Sequence, residues 1–182
     1  MNTSLAHCAF ETSRLSVAPI ALPASRSARD DFFDRLVTLL SSAVVAELPP
    51  YFQGIKTQEQ AQIWFERMQQ DSVLLPIHDQ SARTLLGFVF LYQQPNSDTA
   101  HLGYLLGEAH WGQGLGKESL RGLLAWCHRH QAVNELVAGV APDNVASRRL
   151  LTGLGFRQAA PTAEGMLSFV YELGQSRAPS SP

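Results

Sequence analysis

The chain's 182 residues suffice for one domain with a full core, and 45% hydrophobic against 16% charged residues marks an ordinary globular protein. A formal charge of -2 supplies no global basic field, so a nucleic-acid partner is not favoured. Cys8 and Cys127 make neither a disulfide framework nor a CxxC pair, and no apolar run approaches the roughly 18 residues of a membrane span. The opening MNTSLAHCAFETSRLS lacks a basic segment leading into an apolar one, so no secretory signal is expected, and two free thiols suit a reducing, cytoplasmic setting.

In chain order, Arg14 to Ile20 alternates apolar residues at Leu15 and Val17 and predicts a first strand. The stretch ALPASRSA reads as a loop. Asp30 to Glu47 predicts one helix, with Phe33, Leu36, Leu40 and Val44 at spacings of three and four. Asp30, Asp31 and Asp34 read as its solvated, dipole-favoured first turn, and Pro49 and Pro50 stop it. YFQGIK then reads as a loop with exposed aromatics. Thr57 to Gln70 predicts a second helix with Thr57 as N-cap and Glu59 close behind. SVLLPIHD, RTLLGFVFLYQ and TAHLGYLL predict an antiparallel meander, with Pro76 placing the first run at an edge or a bulge. A helix over Leu115 to His130 follows, then a strand at NELVAGVA, a short helix from Asn144 to Gly153, and strands at Phe156 to Ala160 and Met166 to Glu172. A meander followed by β-α-β-α-β gives an α/β fold, a mixed, mostly antiparallel sheet with one parallel region, flanked by helices. The tail, Gly174 to Pro182, reads as a frayed end.

Two segments carry chemistry. In HWGQGLGKESLRGLLAW, Gly112, Gly114 and Gly116 stand between an apolar run and the amphipathic stripe of Leu120, Leu123, Leu124 and Cys127. Strand, glycine turn and helix start together bring unpaired, partly positive helix N-H groups to a place without side chains, which suits a phosphate or diphosphate. The Walker pattern fails, because the glycine spacing is short and Glu118 stands where a hydroxyl is needed. GxGxxG fails because Lys117 occupies the third glycine. A ligand-free tight turn is the bland alternative. In APDNVASRRLLTGLGF, Asn144 and Ser147 are one helical turn apart and face the same way. Taken alone, Asp143 or Asn144 is a helix cap and Ser147 a surface residue. Gly155 suits the end of that helix and Phe156 a return to the core. His128 and His130 do not share a helix face and favour no metal site. Cys127 reads as a core thiol and Trp126 as partly surface or as packing on a partner.

Together the two segments resemble the GCN5-related N-acetyltransferases, the GNAT fold. WGQGLGKES resembles their acetyl-CoA loop, with Trp111 in place of its leading Gln or Arg. DNVASRRLLTGLGF resembles their N-x-x-S helix with its terminal GF, and ETSRLSVAPI resembles the opening of the branch containing ribosomal-protein alanine N-acetyltransferases. The resemblance implies a domain over residues 11–173 after a short extension at 1–10, with a tail at 174–182. It implies acetyl-CoA as cofactor and no metal. The backbone of Gln113, Gly114, Leu115, Gly116 and Lys117 would hold the diphosphate. Tyr104, Leu105 and Leu106, on a strand that splays from its neighbour in the family, would hold the pantetheine arm and polarise the thioester. Asn144 would contact the coenzyme and Ser147 would be the acid for the departing thiolate. Direct transfer to an amine also needs a base, for which His101 and Glu108 are the candidates. The expected partner is an amine acceptor, a protein N-terminus ahead of a small-molecule amine, and the PPYFQG loop is expected to wall its pocket. A coenzyme-sensing module without catalysis is the reading from another class, and a magnesium-dependent nucleotide enzyme is a third.

Overall fold

The computed structural model describes residues 4–20, 22–162 and 165–174. In chain order these residues form β1 (Phe10–Glu11), β2 (Leu15–Val17), α1 (Arg26–Leu39), α2 (Ser42–Val45), α3 (Gln58–Asp71), β3 (Val73–Asp79), β4 (Leu85–Gln93) and β5 (Thr99–Leu106). α4 (Leu115–His130), β6 (Glu135–Val140), α5 (Val145–Gly153), β7 (Arg157–Gln158) and β8 (Leu167–Glu172) follow. Apart from Gly174, the expected tail lies outside the described residues.

The strands make one sheet in the order β1-β2-β3-β4-β5-β6-β8-β7, antiparallel at every pair except the parallel β5 and β6. This is the expected α/β architecture. Pro76 sits within β3 but beyond the reach of β2, which pairs only with Ile77, His78 and Asp79. That half of β3 has β4 alone beside it, so the missing proline N-H leaves no gap in a ladder. The register shifts at Ile77 and His78, against Gly87 of β4. A Cβ at Gly87 would overlap the Leu105 carbonyl oxygen of β5 and meet Leu106 Cα at 2.9 Å.

Where one helix was expected over Asp30 to Glu47, there are two. Ser25 caps α1 by accepting from Ala28 N at 3.3 Å, so the helix starts ahead of the acidic run. Its first turn therefore carries no acid, and Asp30, Asp31 and Asp34 lie further along it. Leu40 leaves helical geometry and Ser41 caps α2, accepting from Val44 N at 3.4 Å. Thr57 caps α3 as expected, in a reciprocal box with Gln60.

Two apolar layers flank the sheet. Phe33, Leu36, Phe65, Trp64 and Phe88 pack on the α1 and α3 side, joined by Leu105 of β5. Leu120, Leu123, Cys127, Leu136 and Phe169 pack on the α4 side, joined by Ala100 and Leu102 of β5. Tyr104 and Leu106 also pack against the α4 layer. Strand alternation thus sends successive β5 side chains to opposite faces. Cys127 is a core thiol, its pKa pushed up to about 12 by burial. Trp126, read as partly surface or as packing on a partner, is buried at 5% exposure within the chain's own core, with its ring 4.6 Å from that of His130 one turn on.

Candidate active site

The parallel pairing of β5 with β6 lasts three rungs, Thr99 to Glu135, Ala100 to Leu136 and His101 to Val137, and then stops. β5 runs on to Leu106 against β4, while β6 runs on to Val140 against β8. A wedge therefore opens along one edge of Leu102 to Leu106, where backbone groups have no strand partner. Its lips are held apart by different neighbours.

The wedge leads into the glycine turn. Trp111 Nε1 donates to the Leu106 carbonyl at 2.8 Å and Gln113 Nε2 to the Ala109 carbonyl at 2.9 Å. Both long side chains are spent folding the turn back on itself. Gly112 and Gly114 have φ of 71° and 76°, where only glycine is comfortable. A Cβ at Gly112 would meet nothing within 4 Å, and one at Gly114 only an Arg14 nitrogen at 3.8 Å. Gly114 is the N-cap of α4 and offers no side chain to its amides, and the first helical bond runs from Glu118 N to Gly114 O at 3.0 Å. The N-H groups of Leu115, Gly116 and Lys117 precede that bond at a bare corner. Gly116 is packed instead, since a Cβ there would meet Leu150 Cδ1 at 3.1 Å, so the turn fits a diphosphate ester on its Gly112 and Gly114 side.

α5 brings the second segment to the wedge. Asn144 caps the helix, its Oδ1 accepting from Ser147 N at 3.0 Å, as the plain reading of that residue expected. The amide's Nδ2 end is left as a donor. The Tyr104 hydroxyl is buried without a hydrogen bond among the described residues, beside the Ser147 hydroxyl but out of bonding geometry. Burial raises the phenol pKa, outweighing a smaller downward pull from Ser147, so the phenol stays protonated. An unpaired buried hydroxyl costs free energy unless something occupies the space before it.

The two base candidates do not meet. His101 is exposed, at the last rung before the wedge, with its ring 6.1 Å from that of Tyr92. Glu108 lies in the short turn Glu108–His110 past the far end of β5, about 17 Å of strand away at 3.3 Å per residue. It lines a cavity of about 790 Å³ with Asp34, Arg35, Thr38 and His110. Phe52 of the PPYFQG stretch is buried, its ring 5.5 Å from that of Phe90, the cross-strand partner of Gly103. Tyr51 is exposed. Of the two aromatics expected at the surface, only Tyr51 is there.

Sequence reading passed over Arg14 and Glu118. Glu118 Oε1 accepts from Thr12 Oγ1 at 2.6 Å, Ser13 Oγ at 3.0 Å and Arg14 N at 3.0 Å, while Oε2 accepts from Arg14 Nε at 2.7 Å. The signal was the stretch ETSRL itself, which the resemblance flagged without a role. Burial pushes the Glu118 pKa up, but the bonds from Thr12, Arg14 and Ser13 together outweigh it and hold the pKa below the usual range. The depressed value means this bond set contributes fully above the unfolded pKa of about 4.3 and is lost as pH falls through the folded value. Melting temperatures between about pH 6 and about pH 3 should fall more steeply for the wild type than for Glu118→Gln. Parallel curves would refute the assignment.

Among the described residues, no group of histidines, cysteines and acids could hold a metal, and no helix is long and apolar enough to cross a membrane. Two proteins with N-acetyltransferase names are similar over part of the chain. These are p20 of Bacillus licheniformis, 33% identical over 81 residues, and YjcK of Bacillus subtilis, 32% identical over 96 residues. The matches cover 44% and 51% of this chain and 42% and 53% of those proteins, so the chain spans about half the length of the curated relatives it matches. A solved structure described as a ribosomal L7/L12 alpha-N-protein acetyltransferase in complex with coenzyme A superposes with a TM-score of 0.69. At 18% identity, covering 88% of this chain and 95% of that one, it establishes a shared fold. Residues 25–157 match the family described as the acetyltransferase (GNAT) domain, a span that holds the wedge, the bare glycine corner and the Asn144 helix, and the chain belongs to that family.

Proposed function

We propose that the chain transfers acetyl from acetyl-CoA to a primary amine, with a protein N-terminal amine as the favoured acceptor. The observation that carries this reading is the wedge between β5 and β6, which runs into a helix N-terminus left open at Gly112 and Gly114. Acetyl-CoA would supply a thioester whose carbonyl carbon a neutral amine can attack.

The chain's own part is to grip, align and move protons. Amides from Gln113 to Lys117 hold the diphosphate at the α4 corner. Of the three residues expected to hold the pantetheine arm, Leu105 turns its carbonyl to Gly87 of β4 and the Leu106 carbonyl accepts from Trp111. This leaves the Tyr104 backbone and the Leu106 N-H on the unpaired edge to hold the arm, and an N-H there stabilises charge growing on the acetyl oxygen. The Asn144 amide steadies the same arm. Ser147 gives its hydroxyl proton to the departing sulfur. His101 takes the amine's proton, directly or through water. Its place favours it over Glu108: it stands on the last paired rung, at the closed end of the wedge, on the α1 and α3 side and opposite the Tyr104 face. Glu108 walls the separate cavity instead. Phe52 and Tyr51 stand over the His101 face through Phe90 and wall the acceptor. The protein N-terminus is favoured by the branch resemblance of ETSRL and the glycine loop, and the ribosomal-protein acetyltransferase of like fold agrees with it.

Release of free thiol from acetyl-CoA, followed with peptides of varied first residue and with polyamines, tests the reading. Turnover on peptides supports it. Turnover on small amines alone would move the acceptor to that class, and coenzyme binding without turnover on any amine would leave a sensing module. In the same assay Ser147→Ala is expected to lower kcat about a hundredfold with coenzyme KM changed by less than about threefold. Unchanged kcat would return Ser147 to a surface role.

A further inference from the structure

The bond set around Arg14 has a consequence for the corner it adjoins. Arg14 Nε grips Glu118, and Arg14 Nη1 reaches on to donate to the Gln113 carbonyl at 3.0 Å. One guanidinium therefore ties a helix carboxylate to the last loop residue before the N-cap. A trans peptide points its C=O and N-H in opposite directions, so holding the Gln113 carbonyl toward Arg14 turns the Gly114 N-H away from it. Gly112 and Gly114, at φ of 71° and 76° on either side of Gln113, make the backbone here permissive. The Arg14 bond joins the Gln113 Nε2 bond to Ala109 in keeping this peptide from flipping to present an oxygen in place of a hydrogen.

Charge adds a second effect. Glu118 lies in the opening turns of α4, where a carboxylate suits the helix dipole but repels an incoming anion. Arg14 cancels that charge. With Lys117 and Arg121 it leaves the adjoining cavity of about 470 Å³ net cationic. Thr12 and Ser13 keep the carboxylate turned toward Arg14.

We propose that Arg14, held by Glu118, is a positioning residue for the anion corner: it locks the Gln113–Gly114 peptide and neutralises the carboxylate beside it. This rests on the coenzyme reading above. Arg14 acts through the loop, so its loss should weaken coenzyme binding while sparing the chemical step.

The test is calorimetric titration of coenzyme A into the full chain, with melting curves of each ligand-free protein. Arg14→Gln is expected to weaken binding at least about tenfold, the scale of a lost charge-assisted bond. Arg14→Lys keeps the charge but not the fork, and should fall between. The double variant Arg14→Gln/Glu118→Gln should bind more tightly than Arg14→Gln alone, because no carboxylate is left facing the anion. Acetyl-CoA KM should rise in Arg14→Gln with kcat at saturation unchanged. Wild-type affinity in Arg14→Gln, or a double variant binding no more tightly than the single, would overturn the proposal. Should Arg14→Gln fold poorly, Arg14→Lys and the double variant carry the comparison. A wild-type protein that binds no coenzyme A would overturn the coenzyme reading itself and this proposal with it. Tight wild-type binding unaffected by Arg14 would overturn this proposal alone.

Discussion

A valine at position 114 is expected to lower coenzyme A affinity by more than about a hundredfold, the loss of two or more bonds to a charged group at roughly 1.5–3 kcal/mol each. At the α4 corner a Cβ at Gly114 would meet only an Arg14 nitrogen at 3.8 Å, so a branched side chain there would fill the volume that an anion needs to reach the amides. Its φ of 76° adds a backbone penalty of about 1–3 kcal/mol for valine, which should also lower the melting temperature by several degrees. Gly114→Asn separates the two effects. Asparagine tolerates left-handed backbone, so the fold should hold while the side chain still obstructs the corner. Calorimetry and melting curves on both variants make the check. Near-normal affinity in a folded Gly114→Asn protein would remove the corner from the coenzyme site.

Gly87→Ala is expected to destabilise the protein by about 2–4 kcal/mol, large for one added methyl group. The new Cβ would overlap the Leu105 carbonyl and crowd Leu106 Cα, so β5 backbone must move and not merely a side chain. The shift falls on the two residues at the outer end of the wedge. A denaturant midpoint should drop, and the surviving folded protein should bind coenzyme A more weakly. A midpoint equal to the wild type would mean that β4 and β5 part more easily here than their close approach implies.

What was legible in the sequence was what repeats locally. α4 runs over Leu115 to His130 as read, because Gly114 marks its start and its apolar stripe is unbroken. The α3 cap and the end of α5 at Gly155 and Phe156 follow from similarly local signals. The antiparallel run of β3, β4 and β5 and the one parallel region followed from the meander and the β-α-β pattern, while the place of β8 between β6 and β7 has no local signal. The break between α1 and α2 was hidden because the apolar period continues through Leu40 and Val44, so Ser41, whose hydroxyl caps α2, reads as an ordinary position within one helix. Ser25 was passed over for a similar reason, inside a stretch that looks like a loop. Trp126 lies beside the apolar stripe of α4, not on it, and its place in the core on that side is a tertiary fact. Arg14 and Glu118 are 104 residues apart, and no periodicity connects them. The unpaired Tyr104 hydroxyl needs α5 laid over β5, a tertiary fact. His101 and Glu108 looked equivalent as bases because seven residues of sequence say nothing of direction until a strand stretches them apart.

The two apolar layers described above have a consequence for how such a protein can diversify. The aromatic cluster of Phe32, Phe33, Phe65 and Trp64 lies on one side of the sheet, and the bare corner, Tyr104 and Ser147 belong to the other. On the proposed reading, the surface that chooses the amine is insulated from the surface that grips the donor by a layer of strand. Recipient preference can then be rebuilt through α1, α3 and the Tyr51 stretch while the donor grip stays as it is, so selectivity and donor affinity are free to change independently.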